Sequence, residues 1–204
     1  MFRLICLLIG YFIGCISMAY IVGRITKTDL RKKGSGNLGT TNALRVLGFR
    51  AGVSTFVGDI LKGVLAFFIC RMLFPEESLL AGIYAGAGAI LGHDFPFYLK
   101  FKGGKGIAAT IGMVLSLTFV FSPLLGAIPI AIGILGVACS RYISVGSLVF
   151  SISIPISAFF LGMPGEGALI LTGLACLAVW LHRANIKRLR TGTENKFTLH
   201  KSVQ

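Results

Sequence analysis

The sequence predicts an all-α, polytopic integral membrane protein of about seven transmembrane helices, N-terminus outside and C-terminus inside. Three observations lead there. Hydrophobic residues make up 55% of the 204 and charged residues only 13%, against roughly 25% charged in a soluble domain. The mean hydropathy is +0.85. The apolar residues come in long runs, and Lys and Arg gather between alternate runs.

A spanning helix takes ~20 mostly apolar residues, with a range of ~17–25. Runs of that kind lie at 4–22, 53–73, 78–95, 107–122, 124–139, 143–161 and 165–181. The fourth and fifth meet at Ser122-Pro123 without a polar loop. Together they are too long for one span, so a tight hairpin is expected between them. Several runs are short and Gly-rich, which suits close helix packing or broken helices that line a cavity. The first run follows Arg3 and lacks a small-residue cleavage site, so it reads as a retained helix. The whole chain, 1–204, reads as one membrane-embedded domain with a flexible tail at 195–204.

The charges set the orientation. Arg24, Lys27, Arg31, Lys32, Lys33, Arg45 and Arg50 fall in the first loop; Lys100, Lys102 and Lys105 in the third; Arg141 in the fifth. Arg183, Lys187, Arg188, Arg190, Lys196 and Lys201 follow the last run. The opposite side holds Arg3 and Arg71 with acidic Glu76, Glu77 and Glu166. Basic loops stay in the cytoplasm. A five-span arrangement gives the same orientation. The net charge of +13 therefore belongs beside anionic lipid, and a nucleic-acid partner is not expected. Cys6, Cys15, Cys70, Cys139 and Cys176 lie in or beside apolar runs without a CxxC pair, and read as small buried side chains.

Polar clusters stand out against this background. Residues 34–45 read GSGNLGTTNALR, a Gly-rich loop before a short helix at 41–47 that Gly48 stops. Glycines let backbone amides approach an anion. Ser35, Asn37, Thr41 and Asn42 add polar groups, and Arg45 shares a helix face with Thr41. The alternative is a flexible loop whose small polar residues cap the helix.

Residues 102–106 read KGGKG before an apolar helix. Gly106 stands where a nucleotide-binding loop has Ser or Thr, and Leu99 where it has its first Gly, so nucleotide hydrolysis is not expected. Lys102, Gly103, Gly104 and Lys105 could still hold a phosphate; a basic anchor on a flexible turn is the alternative. Asp59 and Lys62, at i,i+3 within a span, read as an internal ion pair that supports the site. His93-Asp94 is either an acid–base element or a helix end stopped by Pro96. His182 and Asn185 face one way at i,i+3, with Lys187, Arg188 and Arg190 on a basic amphipathic stretch. His182 could act as general base or donate to a phosphate. No Gly-x-Ser-x-Gly elbow, His-x4-Asp pair or metal-spaced ligand set occurs, so neither a covalent acyl-enzyme nor a metal or other cofactor is expected.

Taken together, these segments resemble the bacterial acyl-phosphate:glycerol-3-phosphate acyltransferase family, PlsY. The matching pieces are GSGNLGTTNALR at 34–45, GDILKG at 58–63, GHDFPFYLKFKGGKGIAAT at 92–110, RYISVGS at 141–147 and HRANIKRLRTGTE at 182–194. They come in the family's order across nearly the whole chain. The resemblance implies a seven-helix enzyme of the bacterial inner membrane with an active site facing the cytoplasm. It would move a fatty acyl group from acyl phosphate to the 1-hydroxyl of sn-glycerol 3-phosphate, giving lysophosphatidate and inorganic phosphate. Neither acyl-CoA nor acyl carrier protein would be the direct donor.

Such an enzyme needs no nucleophilic side chain, because acyl phosphate is already activated. It must hold two phosphates close together and stabilise an oxyanion. Ser35, Asn37, Thr41 and Arg45 are expected on one phosphate, with Lys105 shared or on the other. His182 and Asn185 are expected at glycerol phosphate and its hydroxyl, with Ser144 and Ser147 as donors beside them. Proton transfer to a phosphate oxygen is the alternative to His182 as base. The competing class is a transporter for organic phosphate anions, which predicts charges in mid-span reachable from both sides.

Overall fold

The structure, a computed structural model, describes residues 1–197, and every regular element among them is helical. The order is α1 (Phe2–Gly14), α2 (Met18–Ile25), α3 (Thr40–Leu47), α4 (Phe49–Leu73), α5 (Ser78–Asp94), α6 (Ile107–Val120), α7 (Pro123–Ser140), α8 (Ile143–Phe160), α9 (Gly165–Leu181) and α10 (Arg183–Arg190). Short 3-10 turns stand at Leu30–Lys32 and Phe97–Leu99. Among the described residues four helices are long and apolar enough to cross a bilayer: α1 with α2, α4, α7 and α8. The pair α9 and α10, bent by 53°, makes a fifth if counted as one span. The 17 residues of α5 and 14 of α6 run only ~26 and ~21 Å at ~1.5 Å per residue, short of a ~30 Å hydrocarbon core. Of the tail set apart at 195–204, residues 198–204 lie outside the described residues.

The first expected span, 4–22, is broken: α1 and α2 are separated at residues 15–17. Ser17 caps α2, its hydroxyl accepting from Tyr20 N at 3.3 Å. The break frees carbonyl groups that lipid cannot satisfy. Side chains take them up instead: the Tyr98 hydroxyl donates to Cys15 O at 2.8 Å and Lys62 Nζ to Ile16 O at 3.1 Å.

The helices group into two compact units, residues 1–122 and a second beginning at Pro123. In the first, α1 lies against α5 and α4 against α5 and α6. Glycines make these contacts possible. A Cβ on Gly10 or Gly14 would strike the carbonyl oxygens of Ala85 or Ala89; on Gly88 or Gly92, those of Leu7 or Tyr11. Gly63 meets Ala109 O and Gly112 meets Ile60 O in the same way. Lipid tails are as apolar as leucine, so helices in a membrane associate through close backbone packing. Many large apolar side chains face outward, Leu65 54% and Phe119 84% exposed, while Phe67, Ile83, Met113 and Leu117 fill the interior. In the second unit α7 packs on α8 and α8 on α9. Pro129 and Pro155 sit inside α7 and α8. Cys6, Cys15 and Cys70 are buried as expected, but Cys139 and Cys176 are exposed. They stand on apolar helices, where a small thiol suits a lipid-facing position as well as a core.

Candidate active site

The chemistry-bearing loops of the first unit fold back on helix ends. α3 starts one residue earlier than the sequence suggests and ends at Gly48, whose φ is 87°. Asn42 lies at the heart of the loop before it, only 1% exposed. Its Oδ1 accepts from Ser35 N at 2.9 Å, and its Nδ2 donates to Leu30 O and Lys33 O at 3.1 Å each. Asn42 is therefore committed to holding the loop, which corrects its expected place among the substrate ligands. Gly34 (φ 60°) passes so close that a Cβ there would strike Asn42 Oδ1. The amides of Asn42 and Ala43 bond to Gly39 O, leaving those of Thr40 and Thr41 at the start of α3, where helix amides lack internal partners. Ser35 and Arg45 are exposed, and Asn37 and Thr41 partly so.

The second loop is built differently. Lys100 and Phe101 both take left-handed backbone, φ 55° and 57°, turning the chain back onto the end of α5. Gly103 N then donates to Asp94 O and Gly104 N to His93 O, each at 3.0 Å. Those two amides were expected to cradle a phosphate; the carbonyl end of α5 occupies them. The glycines serve packing: a Cβ on Gly104 would strike His93 Nε2, and one on Gly103 the His93 carbonyl. A Cβ on Gly106 would sit 3.1 and 3.2 Å from the two oxygens of the buried Asp94 carboxylate. Lys102 is exposed and Lys105 partly buried.

Behind this loop lies a buried polar cluster. Lys62 Nζ stands 2.8 Å from Asp59 Oδ1 and 2.7 Å from His93 Nδ1, and all three residues are under 5% exposed. A lysine ammonium only donates, so Nδ1 is the acceptor and a neutral His93 carries its proton on Nε2, against Gly104. The cluster ties α4, α5 and the break after α1 to the loop that carries Lys105. His93 is thus part of the loop's support, at a helix end as one of its two readings has it.

In the second unit, His182 stands at the bend between α9 and α10. Its Nδ1 lies 2.8 Å from Ala178 O. A carbonyl accepts only, so Nδ1 carries the proton and, in the neutral ring, Nε2 the lone pair. Asn185 Nδ2 donates to Glu194 Oε1 and Arg188 Nε to Glu194 Oε2, both at 2.6 Å. Burial raises the Glu194 carboxyl, but the hydrogen bonds from Asn185 and Arg188 outweigh it and hold it below its ordinary pKa. Glu194 received no role from the sequence, although it is the lone acid in a basic tail. The buried Ser144 hydroxyl makes no bond of standard geometry yet lies near enough to lower that carboxyl further. Ser147 Oγ donates to Ile143 O at 2.9 Å. No group of three or more His, Cys, Asp or Glu with metal-holding geometry occurs among the described residues.

These features define an all-helical membrane protein with polar, basic, buttressed loops at helix ends. The family model for glycerol-3-phosphate acyltransferase matches residues 4–192. The glycerol-3-phosphate acyltransferase of Thermoanaerobacter pseudethanolicus is 41% identical over 197 residues, 96% of each chain. That of Alkaliphilus metalliredigens is 41% identical over 204 residues, the full length of both. Among solved structures, the glycerol 3-phosphate form of PlsY, an integral membrane glycerol 3-phosphate acyltransferase, superposes with a TM-score of 0.87 at 32% identity, over 96% of each chain. Its lysophosphatidic acid form gives 0.84 at 31%, over 97% of this chain and 96% of that one. The chain belongs to the PlsY family of integral membrane glycerol-3-phosphate acyltransferases, and it is an acyltransferase.

Proposed function

We propose that this enzyme transfers a fatty acyl group from acyl phosphate to the 1-hydroxyl of sn-glycerol 3-phosphate, releasing lysophosphatidate and inorganic phosphate. The observation that carries the reading is the full-length likeness to a PlsY structure solved in a glycerol 3-phosphate form and in a lysophosphatidic acid form, an acceptor and its acylated product. The hydroxyl oxygen attacks the acyl carbonyl carbon. The carbonyl carbon–oxygen bond to phosphate then breaks, and phosphate leaves with the electron pair. Ser35, Asn37, Thr41 and Arg45 bind one phosphate, where unpaired helix amides add positive potential. Lys102 and Lys105 neutralise the other, Lys105 being held in place by the loop's packing on His93. His182 takes the hydroxyl proton on Nε2, the atom that its bond to Ala178 O leaves as acceptor. Asn185 and Arg188, fixed by Glu194, orient the glycerol phosphate, and Ser144 and Ser147 line the approach. Holding both phosphates against their repulsion supplies much of the catalysis.

The same proposal places the chain in the bacterial inner membrane as one domain of seven spans, N-terminus out, with the active site facing the cytoplasm. The clustering of basic residues between alternate spans supports the orientation, which is the same for five spans.

The test is turnover of palmitoyl phosphate with glycerol 3-phosphate by the purified protein reconstituted in lipid, beside Lys105→Ala and His182→Gln. Stoichiometric lysophosphatidate and phosphate, lost in folded Lys105→Ala, is the expected result. A folded wild type that makes no product overturns the reading. A His182→Gln variant that keeps most of kcat removes His182 as the base.

A further inference from the structure

A cavity of about 380 Å³ opens at the end of α2, walled by Tyr20, Arg24, Lys27, Asp29 and Arg31 over the buried Leu38. Ser35, Arg45 and Lys105 do not line it, although Leu38 of the first loop does; the side chains assigned to the reaction lie outside it. Its walls carry three cations and one carboxylate. That carboxylate is engaged: Asp29 pairs with Arg31 through two hydrogen bonds of 2.9 and 3.0 Å. Arg31 also lies 5.7 Å from the centre of the Tyr20 ring, so its guanidinium is held in place before any ligand arrives.

The backbone at Lys27 is the second observation. Lys27 N donates to Arg24 O at 3.2 Å and Thr28 N to Gly23 O at 2.8 Å. This pair of bonds closes a helix with a left-handed residue that is usually glycine. Here it is a lysine, with φ 53°. A strained position filled by a charged side chain at a cavity wall points to a use for that charge.

The third is place. Phe2–Ile25, 24 residues in all, is a candidate span, and the cavity lies at its end, at a membrane surface whichever way the span runs. Ile21 and Ile25, one turn apart on α2 and each next in sequence to a lining residue, Tyr20 or Arg24, are 39% and 75% exposed.

We propose that this cavity seats the phosphate headgroup of an anionic membrane phospholipid, with an acyl chain along the Ile21 and Ile25 side of α2. Arg24 and Lys27 supply the net charge, and the prepositioned Arg31 gives the phosphate a planar pair of donors. Free inorganic phosphate offers the same charge but cannot use the apolar wall.

The test uses the full chain in phosphatidylcholine nanodiscs, titrated with dioctanoyl phosphatidylglycerol or inorganic phosphate and read by thermal unfolding. Lys27→Gly removes the charge and relieves the left-handed strain, so its midpoint without anionic lipid should equal or exceed that of wild type. Its apparent affinity for phosphatidylglycerol should fall about fivefold, and that of Arg24→Gln/Lys27→Gly by about 25-fold, from roughly one such factor per lost charge. Lys105→Ala should keep wild-type lipid affinity. Unchanged affinity in both cavity variants overturns the proposal. So does a loss in Lys105→Ala, which would put the lipid at the reaction loops, or inorganic phosphate stabilising at the same concentrations as the lipid through an effect that Lys27→Gly abolishes.

Discussion

The two Gly-rich loops of the first unit look alike in sequence and are built for different purposes. In 34–45 a single buried side chain, Asn42, gathers the loop through three hydrogen bonds, and the first amides of α3 stay uncommitted. In 102–106 the glycine amides bind the carbonyl end of α5, and the glycines make room for His93 and the Asp94 carbonyl end. The lesson is that glycine next to lysine does not by itself mean an amide cradle. It can mean that two backbones must come close. The second loop then presents its lysines, while the first presents amides, hydroxyls and an arginine.

The largest effect expected from this contrast is at Asn42. Asn42→Ala removes three hydrogen bonds and leaves the Ser35 amide without its acceptor, at about 1 kcal/mol per bond, so a loss of ~3 kcal/mol of stability is expected. Chemical denaturation in detergent measures it, and a variant as stable as wild type would return Asn42 to the list of substrate ligands. Gly104→Ala comes next, with an overpacking cost of about 1–3 kcal/mol. If packing on His93 is the cause, Gly104→Ala lowers the thermal midpoint less in a His93→Ala background than in wild type; equal losses in the two backgrounds would show that it is not.

Arg45→Ala should leave the midpoint unchanged while raising KM for a phosphate substrate by roughly tenfold or more, the worth of a charge-assisted contact. A fall in stability instead would make Arg45 part of the loop's framework. The smallest effect lies in the second unit. Glu194 has a depressed pKa in the folded state, so the stability it contributes is present above the ordinary value of about 4.3 and is lost as pH falls through the lower folded value. Between about pH 5 and 3 the midpoint of Glu194→Gln should therefore vary less than that of wild type; parallel curves would show that Glu194 does not hold Asn185 and Arg188.

Much of this was legible in the chain. The short helix after the first loop, its stop at Gly48, and the proximity of Asp59 to Lys62 follow from local spacing, because residues three or four apart on a helix are neighbours whatever surrounds them. Asn42 was misread because its partners, Leu30, Lys33 and Ser35, are defined by how the loop closes, not by spacing. Gly103 and Gly104 were misread for the same reason: their partners sit at the end of α5. Glu194 drew no attention since a single acid after a basic helix looks like surface charge until Asn185 and Arg188 turn toward it.

Composition and period alone determined that this is an all-helical membrane protein, since unbroken apolar runs of about 20 residues satisfy their backbone in lipid as helices, whereas the strands of a barrel are about half as long and alternate polar with apolar. The ordered motifs determined its family. Only the tertiary structure decided where the first span breaks, which amides are taken, and which glycines are seams between backbones. Those outcomes depend on hydrogen-bond partners and close approaches between segments far apart in the chain, which no local pattern encodes.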